Sequence, residues 1–237
     1  MQRRDELHHG HRSVAGGAAR AAVFGVSDGL VSNVSLILGF AGGGASSAVV
    51  RLAGLAGAVA GGISMAAGEW VSVSAQNELI ERELDVERRE LNLHPAAETE
   101  ELAKMYEADG MEPDRARHAA ADVMRLPDEA LAVHARAELG VDPGKLPSPL
   151  AAAATSLVCF LFGALLPVVP WLFDVSGTAP TIASLAIATV GAAFVGTIIG
   201  RSAGRSVARA ALRQVLIMLG ACAVTYAVGQ LIGINVS

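Results

Sequence analysis

Long apolar runs alternate with short polar breaks along this chain, and one long acidic stretch divides them into a pair and a triplet. The first run extends from about Ala18 to Gly43 and the second from about Ala48 to Val73, with only GGGASS between them. Each exceeds the roughly 20 residues that a helix needs to cross a bilayer's hydrocarbon. So short a break predicts an antiparallel hairpin. Three more runs follow the acidic stretch: about Leu150 to Phe173, Pro180 to Gly200 and Ala211 to Ile234. Five membrane spans are the economical reading. Pro167 and Pro170, in LLPVVPWLF, predict that the third span bends or ends early.

The acidic stretch keeps a helical character. Gln76 to Leu93 continues the second span with no proline or glycine to interrupt it, and Pro95 ends it. Ala96 to Asp109 predicts another helix and DGMEP a turn; Pro113 to Leu126 and Pro127 to Leu139 predict two more, with proline at each start. The linker VDPGKLPSP closes the segment. No strand-like alternation stands out. The pattern therefore predicts an all-α membrane protein: five transmembrane helices with a cytoplasmic helical domain inserted between helices 2 and 3. The divisions are a tail over 1–17, spans one and two over 18–75, the acidic domain over 76–149 and spans three to five over 150–237.

Composition agrees with that class. The 237 residues are 52% hydrophobic and only 17% charged, which places the chain with membrane proteins rather than with soluble domains of its length. Its net charge of -5 hides a division: Gln76 to Lys145 holds 18 Asp or Glu against 9 Lys or Arg. An acidic segment argues against nucleic acid as partner and favours cations, a plain solvated surface being the alternative. Arg3, Arg4, Arg12 and Arg20 precede the first span, and Arg201, Arg205, Arg209 and Arg213 are assigned to the loop between spans four and five. With an odd number of crossings, the positive-inside tendency puts both clusters and the acidic domain in the cytoplasm and the C-terminus outside. The cell's inner (plasma) membrane is the expected location. Arg51 is then alone in the outer loop. The N-terminal MQRRDELHHGHRS lacks an obvious cleavage site and is expected to be retained. Cys159 and Cys222 lie in apolar runs and read as packing residues.

Glu83, Glu87 and Glu90 fall at i, i+4, i+7 and so form one stripe on the helix leaving span two. Glu98 and Glu101 repeat an i, i+3 pair, and His134 with Glu138 an i, i+4 pair. Three helices of this kind can enclose a carboxylate-rich metal site with one imidazole, a donor set open to hard and to first-row divalent ions. The competing reading is a solvated acidic face laced with weak pairs to Arg82, Arg88 and Arg89. Asp28 lies well inside the first span, where an ionisable group is costly unless it meets water, a partner or an ion. Met65 and Glu69 sit one turn apart on span two. Asn33, Ser32 and Ser64 offer neutral oxygens or interhelical packing. His8, His9 and His11, like His94 and His118, carry no comparable signal.

VFGVSDGLVSNVSLILGFAGG, followed by AGGISMAAGEWVSVSAQ and LFGALLPVVPWLF, resembles the first three spans of the vacuolar iron transporter family, including its bacterial and plant nodulin-like branches. The likeness runs from about Ala18 to the C-terminus. It implies five spans with a cytoplasmic metal-binding domain between the second and third, a homodimer with the ion path at the subunit interface, and export of Fe2+, with Mn2+ or Zn2+ as further candidates, from the cytosol in exchange for protons. On this resemblance Asp28 and Met65 belong to the transport path, and Glu83, Glu87, Glu90, Glu98, Glu101 and Glu138 to the metal domain. The plant pattern has a glutamate in the middle of span two where this chain has Gly57, and Glu69 is the expected substitute in the path. It has a methionine pair where this chain has His134 and Ala135.

The expected function is therefore a divalent metal exporter, not an enzyme, with no organic cofactor. A metal-sensing membrane protein, a channel for another solute and a carboxylate-site ferroxidase are the alternatives, the last weakened by the lack of a paired Glu-x-x-His arrangement. A structural protein whose charged domain recruits partners is a further one.

Overall fold

The computed structural model describes residues 17–173 and 177–233, with the side chains of 17–20 and of Asp128 left aside. The expectations for the terminal tail, including His8, His9, His11 and the first arginine cluster, lie outside the described side chains. Among the described residues the chain is helical, with no strand: α1 Gly17–Gly42, α2 Ser47–Leu93, α3 Pro95–Ala108, α4 Pro113–Val123, α5 Pro127–Glu138, α6 Pro149–Leu165, α7 Ala179–Ser202 and α8 Val207–Gly233. Five helical stretches are long and apolar enough to cross a membrane. Contacts divide the chain into an apolar unit, Met1–Trp70 with Leu150–Ser237, and an acidic unit, Val71–Pro149.

In the apolar unit α1 is the most enclosed helix. Leu30, Val34, Ile37 and Leu38 form a core with Val50 of α2, Ala188 and Ala192 of α7, and Met218 and Cys222 of α8. Lipid gives helices no hydrophobic reason to associate, so contact depends on close fit and on polar links. Glycine supplies the fit. A Cβ on Gly29 would collide with the Phe160 carbonyl of α6, and one on Gly163 with the Val26 carbonyl of α1, so these two backbones touch directly. Polar links add to it: Asn33 joins α1 to α2 and α6, Gln214 Nε2 donates to Ser27 Oγ between α8 and α1, and Trp171 Nε1 donates to Ser184 Oγ, which donates to the Pro167 carbonyl.

The α1–α2 connection is a left-handed cap. Gly44 has φ +78, the Gly44 N–H bonds the Ala41 carbonyl and the Ala45 N–H bonds the Phe40 carbonyl, both at 3.1 Å. This pairing satisfies carbonyls that the helix end would otherwise leave open, and only glycine takes that φ without a steric penalty.

The third span is α-helical only to Leu165, the early end that its prolines predict: a 3-10 segment over Leu166–Leu172 carries both, and neither can supply the N–H group an α-helix needs. Two other boundaries differ from the sequence expectation. The fifth span begins at Val207, where Ser206 Oγ accepts from the Arg209 N–H. Arg209 and Arg213 therefore lie on α8 and Arg201 in the last turn of α7, leaving only Arg205 in the connection; Arg51 likewise sits within α2. An apolar count stops at the first charge, whereas a helix continues until its backbone is capped. Finally, α4 ends at Val123, because Pro127 holds Leu126 extended at φ -118, ψ 99.

The acidic unit has a small core of Leu102, Ala103 and Ala120, with Tyr106, Val123 and Val133 against it. Prolines 95, 113 and 127 open its three short helices, where their missing N–H is not required. Glu112 caps α4 by accepting from the Arg115 N–H. Asn77 Nδ2 donates to the Pro147 carbonyl at 2.9 Å and ties the closing linker to α2.

Candidate metal centre

Within the acidic unit, four of the expected ligands converge. Glu87 of α2, Glu98 of α3, and His134 and Glu138 of α5 each offer one ligand atom, all within 4.8 Å of one another. The centre is His134 Nδ1. It lies 3.1 Å from Glu87 Oε1, 3.2 Å from Glu138 Oε1 and 3.7 Å from Glu98 Oε2. Two ligands each held about 2.1 Å from one ion stand roughly 3.0 Å apart at a right angle and about 3.4 Å apart at the tetrahedral angle. The two shorter separations suit ligands of one ion and are equally hydrogen-bond distances, so the group is a candidate centre by its donor set as much as by its spacing.

His134 is fully buried and Glu87 and Glu98 nearly so, while Glu138 is exposed. The centre is thus walled on one side and open on the other. Glu87 Oε1 is buried without a hydrogen-bond partner among the described residues, an unsatisfied state that a cation or a proton relieves. Burial, followed by the charge of Glu138, pushes the Glu87 carboxyl up to about 7; Glu98 and Glu101 add to the rise, and His134 opposes it. Glu98 is also raised, first by burial and then by Glu101. A single imidazole faces three carboxylates, so the cluster carries excess negative charge whenever they are ionised. A group of this composition can exchange protons for a divalent cation.

The remaining residues of the acidic set stand outside this group. Glu90 faces His94 Nε2 at 3.8 Å, Glu101 is exposed beside Lys104, and Glu83 is exposed. Glu90 and Glu101 still act on Glu98 through their charge. The i, i+4, i+7 stripe on α2 therefore resolves into one residue in the group, one at its edge and one away from it.

A second candidate site lies inside the apolar unit. Asp28, Ser32 and Asn33 of α1 face Gly57, Gly61, Ser64 and Met65 of α2 across a cavity of about 310 Å³. Ser32 Oγ donates to Asp28 Oδ1 at 3.1 Å, which orients the carboxylate. Phe160 of α6 closes the floor, its ring packed where a side chain at Gly61 would otherwise stand. Asp28 and Met65 thus share one space. Glu69, one turn further along α2 and half-buried, does not line it. Sequence reasoning missed that the cavity's width comes from glycine. The signal was present: Gly57, Gly61 and Met65 repeat every four residues and so occupy one helix face.

The VIT family model matches residues 19–230. The chain belongs to the VIT family. It is similar to "Vacuolar iron transporter 1" of Oryza sativa subsp. japonica, 28% identical over 224 residues that cover 94% of this chain and 89% of that protein. A "Vacuolar iron transporter" of Acanthamoeba castellanii is 36% identical over 153 residues, 64% of this chain and 55% of the relative. "Vacuolar iron transporter homolog 1" of Oryza sativa subsp. japonica is 32% identical over 219 residues, 91% of this chain and 74% of the relative. The VIT family match spans all five apolar helices, and the chain is a multi-pass membrane protein.

Proposed function

We propose that this VIT family protein carries Fe2+, with Mn2+ as a second substrate, out of the cytosol by proton antiport. The observation that carries the reading is the convergence of Glu87, Glu98 and Glu138 on His134 Nδ1 in a chain whose relatives are named iron transporters. One imidazole among carboxylates suits borderline first-row ions and admits Zn2+ as a competitor. In this reading the acidic unit is cytoplasmic and collects the ion, and the cavity of Asp28 and Met65 is a station on the membrane path. Cation and proton compete for the same carboxylates, so protonation of Asp28 weakens binding and couples release to inward proton movement. The protein acts as a homodimer in the plasma membrane.

The test is flux in proteoliposomes holding the full chain. Fe2+ entering the lumen should drive protons the other way, and Asp28→Asn should abolish both movements. Unchanged flux in that variant would overturn the role of Asp28. Metal binding without flux in the wild-type protein would instead favour a sensor.

A further inference from the structure

Asn33 is 2% exposed, and its amide is oriented by two acceptors. Nδ2 donates to the Gly54 carbonyl at 3.0 Å and to the Ala164 carbonyl at 2.6 Å. A backbone carbonyl only accepts, so the nitrogen must face both oxygens and Oδ1 must turn the other way. Asn33 lines the cavity that holds Asp28, Ser64 and Met65, and its Oδ1 accepts no hydrogen bond from any described residue. Buried carbonyl oxygens are rarely left unpaired, because desolvation is then uncompensated. Oδ1 is itself buried, and Gly57 stands directly beside it: a Cβ there would lie 2.9 Å from Oδ1.

The geometry points to Asn33 Oδ1 as a fixed, neutral oxygen ligand for the divalent cation that crosses this cavity, beside the Asp28 carboxylate and the Met65 thioether. The inference rests on the transport reading above and adds to it a residue that sets affinity. An amide oxygen contributes coordination without charge. A cation held by one carboxylate and neutral donors binds tightly enough to enter and weakly enough to leave, as conduction requires. A hard oxygen beside a soft sulfur also fits the borderline character of Fe2+.

Two variants of the full chain separate this role from simple packing. Asn33→Ala removes the oxygen together with both interhelical hydrogen bonds, so it should melt earlier. Gly57→Ala keeps the amide and its two carbonyl partners but adds a carbon 2.9 Å from Oδ1 and 2.5 Å from Leu36 Cδ2, so the flexible end of Leu36 is displaced and the space beside Oδ1 is filled. Each should raise the KM for Fe2+ in proteoliposomes about tenfold or more, the scale on which a supporting group tunes a metal site. Each should also remove one class of bound Mn2+ from a spin-resonance titration of the detergent-solubilised protein. The double variant should be no worse than Asn33→Ala, since both act through one oxygen. Additive effects, or wild-type KM and Mn2+ occupancy in Gly57→Ala, would overturn the assignment. Should Asn33→Ala fail to fold, the Mn2+ titration of Gly57→Ala decides alone. A wild-type protein that binds Mn2+ but moves neither ion would overturn the transport reading; the ligand assignment would then stand or fall on whether Gly57→Ala loses that Mn2+.

Discussion

His134 Nδ1 lies 3.1 Å from Glu87 Oε1, joining α5 to α2 at the point where two other carboxylates also arrive. Neither residue is a surface partner of the usual kind, since the imidazole is fully buried and the carboxylate nearly so. A pair of this kind is sensitive to any charge, proton or cation, that enters beside it.

Glu87 and Glu83 lie one turn apart on α2 yet have different surroundings. Glu87→Gln should lower Mn2+ affinity, measured by calorimetric titration of the full chain, by about 10- to 100-fold. Glu83→Gln should stay near the wild-type value. Equal losses in the two variants would mean that the whole stripe, rather than the converged group, attracts the ion.

The raised Glu87 carboxyl gives the metal-free protein a specific pH response. Below about 4.5 the carboxyl is protonated in folded and unfolded chains alike, and its burial carries no charge penalty. As pH rises from there through about 7, the unfolded chain loses the proton first, so the folded state loses stability, and the full penalty is in place above 7. The melting temperature of the metal-free protein should therefore contain a component that falls across this window. Saturating Mn2+ should reverse it, and binding near pH 6 should release protons, read as a dependence of calorimetric heat on the buffer's ionisation enthalpy. A binding heat independent of buffer would refute proton exchange at the cluster.

Met65 shares the cavity with Asp28, whereas Glu69 does not. Met65→Ala should narrow the preference for Fe2+ over the harder Mn2+ in competition flux, because the thioether is the only soft donor among the described residues lining that space. Glu69→Gln should leave this ratio as it is and act, if at all, on the rate. A selectivity change from Glu69→Gln alone would place the filter one turn further along α2.

Gly44 ends α1 with φ +78, and a Cβ there would meet nothing within 4 Å. Gly44→Ala should therefore destabilise by backbone strain alone, about 1–2 kcal/mol. Thermal unfolding in detergent should show a shift of that order with flux intact. A larger loss would imply that the hairpin turn has contacts beyond its own cap.

Much of this architecture was legible because membrane spans and proline-initiated helices announce themselves by run length and by residue type. The five apolar helices and α3 to α5 appear within a few residues of their predicted limits. Pro167 and Pro170 announced the early end of α6, whereas the start of α8 was less legible, since it depends on the cap at Ser206 rather than on hydropathy. At the candidate centre, periodicity put Glu83, Glu87 and Glu90 on one face but could not say which of them meets α3 and α5. That depends on how three helices cross, a property of packing between distant segments. Asn33 was visible only as one of several neutral polar groups, because the direction of its amide is set by carbonyls of Gly54 and Ala164, far from it in sequence.

The contact of Gly29 with α6 and of Gly163 with α1 has an evolutionary consequence. No amino acid is smaller than glycine, so every substitution at either position adds at least one carbon atom where a neighbouring carbonyl already stands. Ordinary core sites can drift in both directions, losing a methyl here and gaining one there. At this crossing drift is one-sided and can be repaired only by moving a whole helix, which would carry Asp28, the immediate neighbour of Gly29, with it.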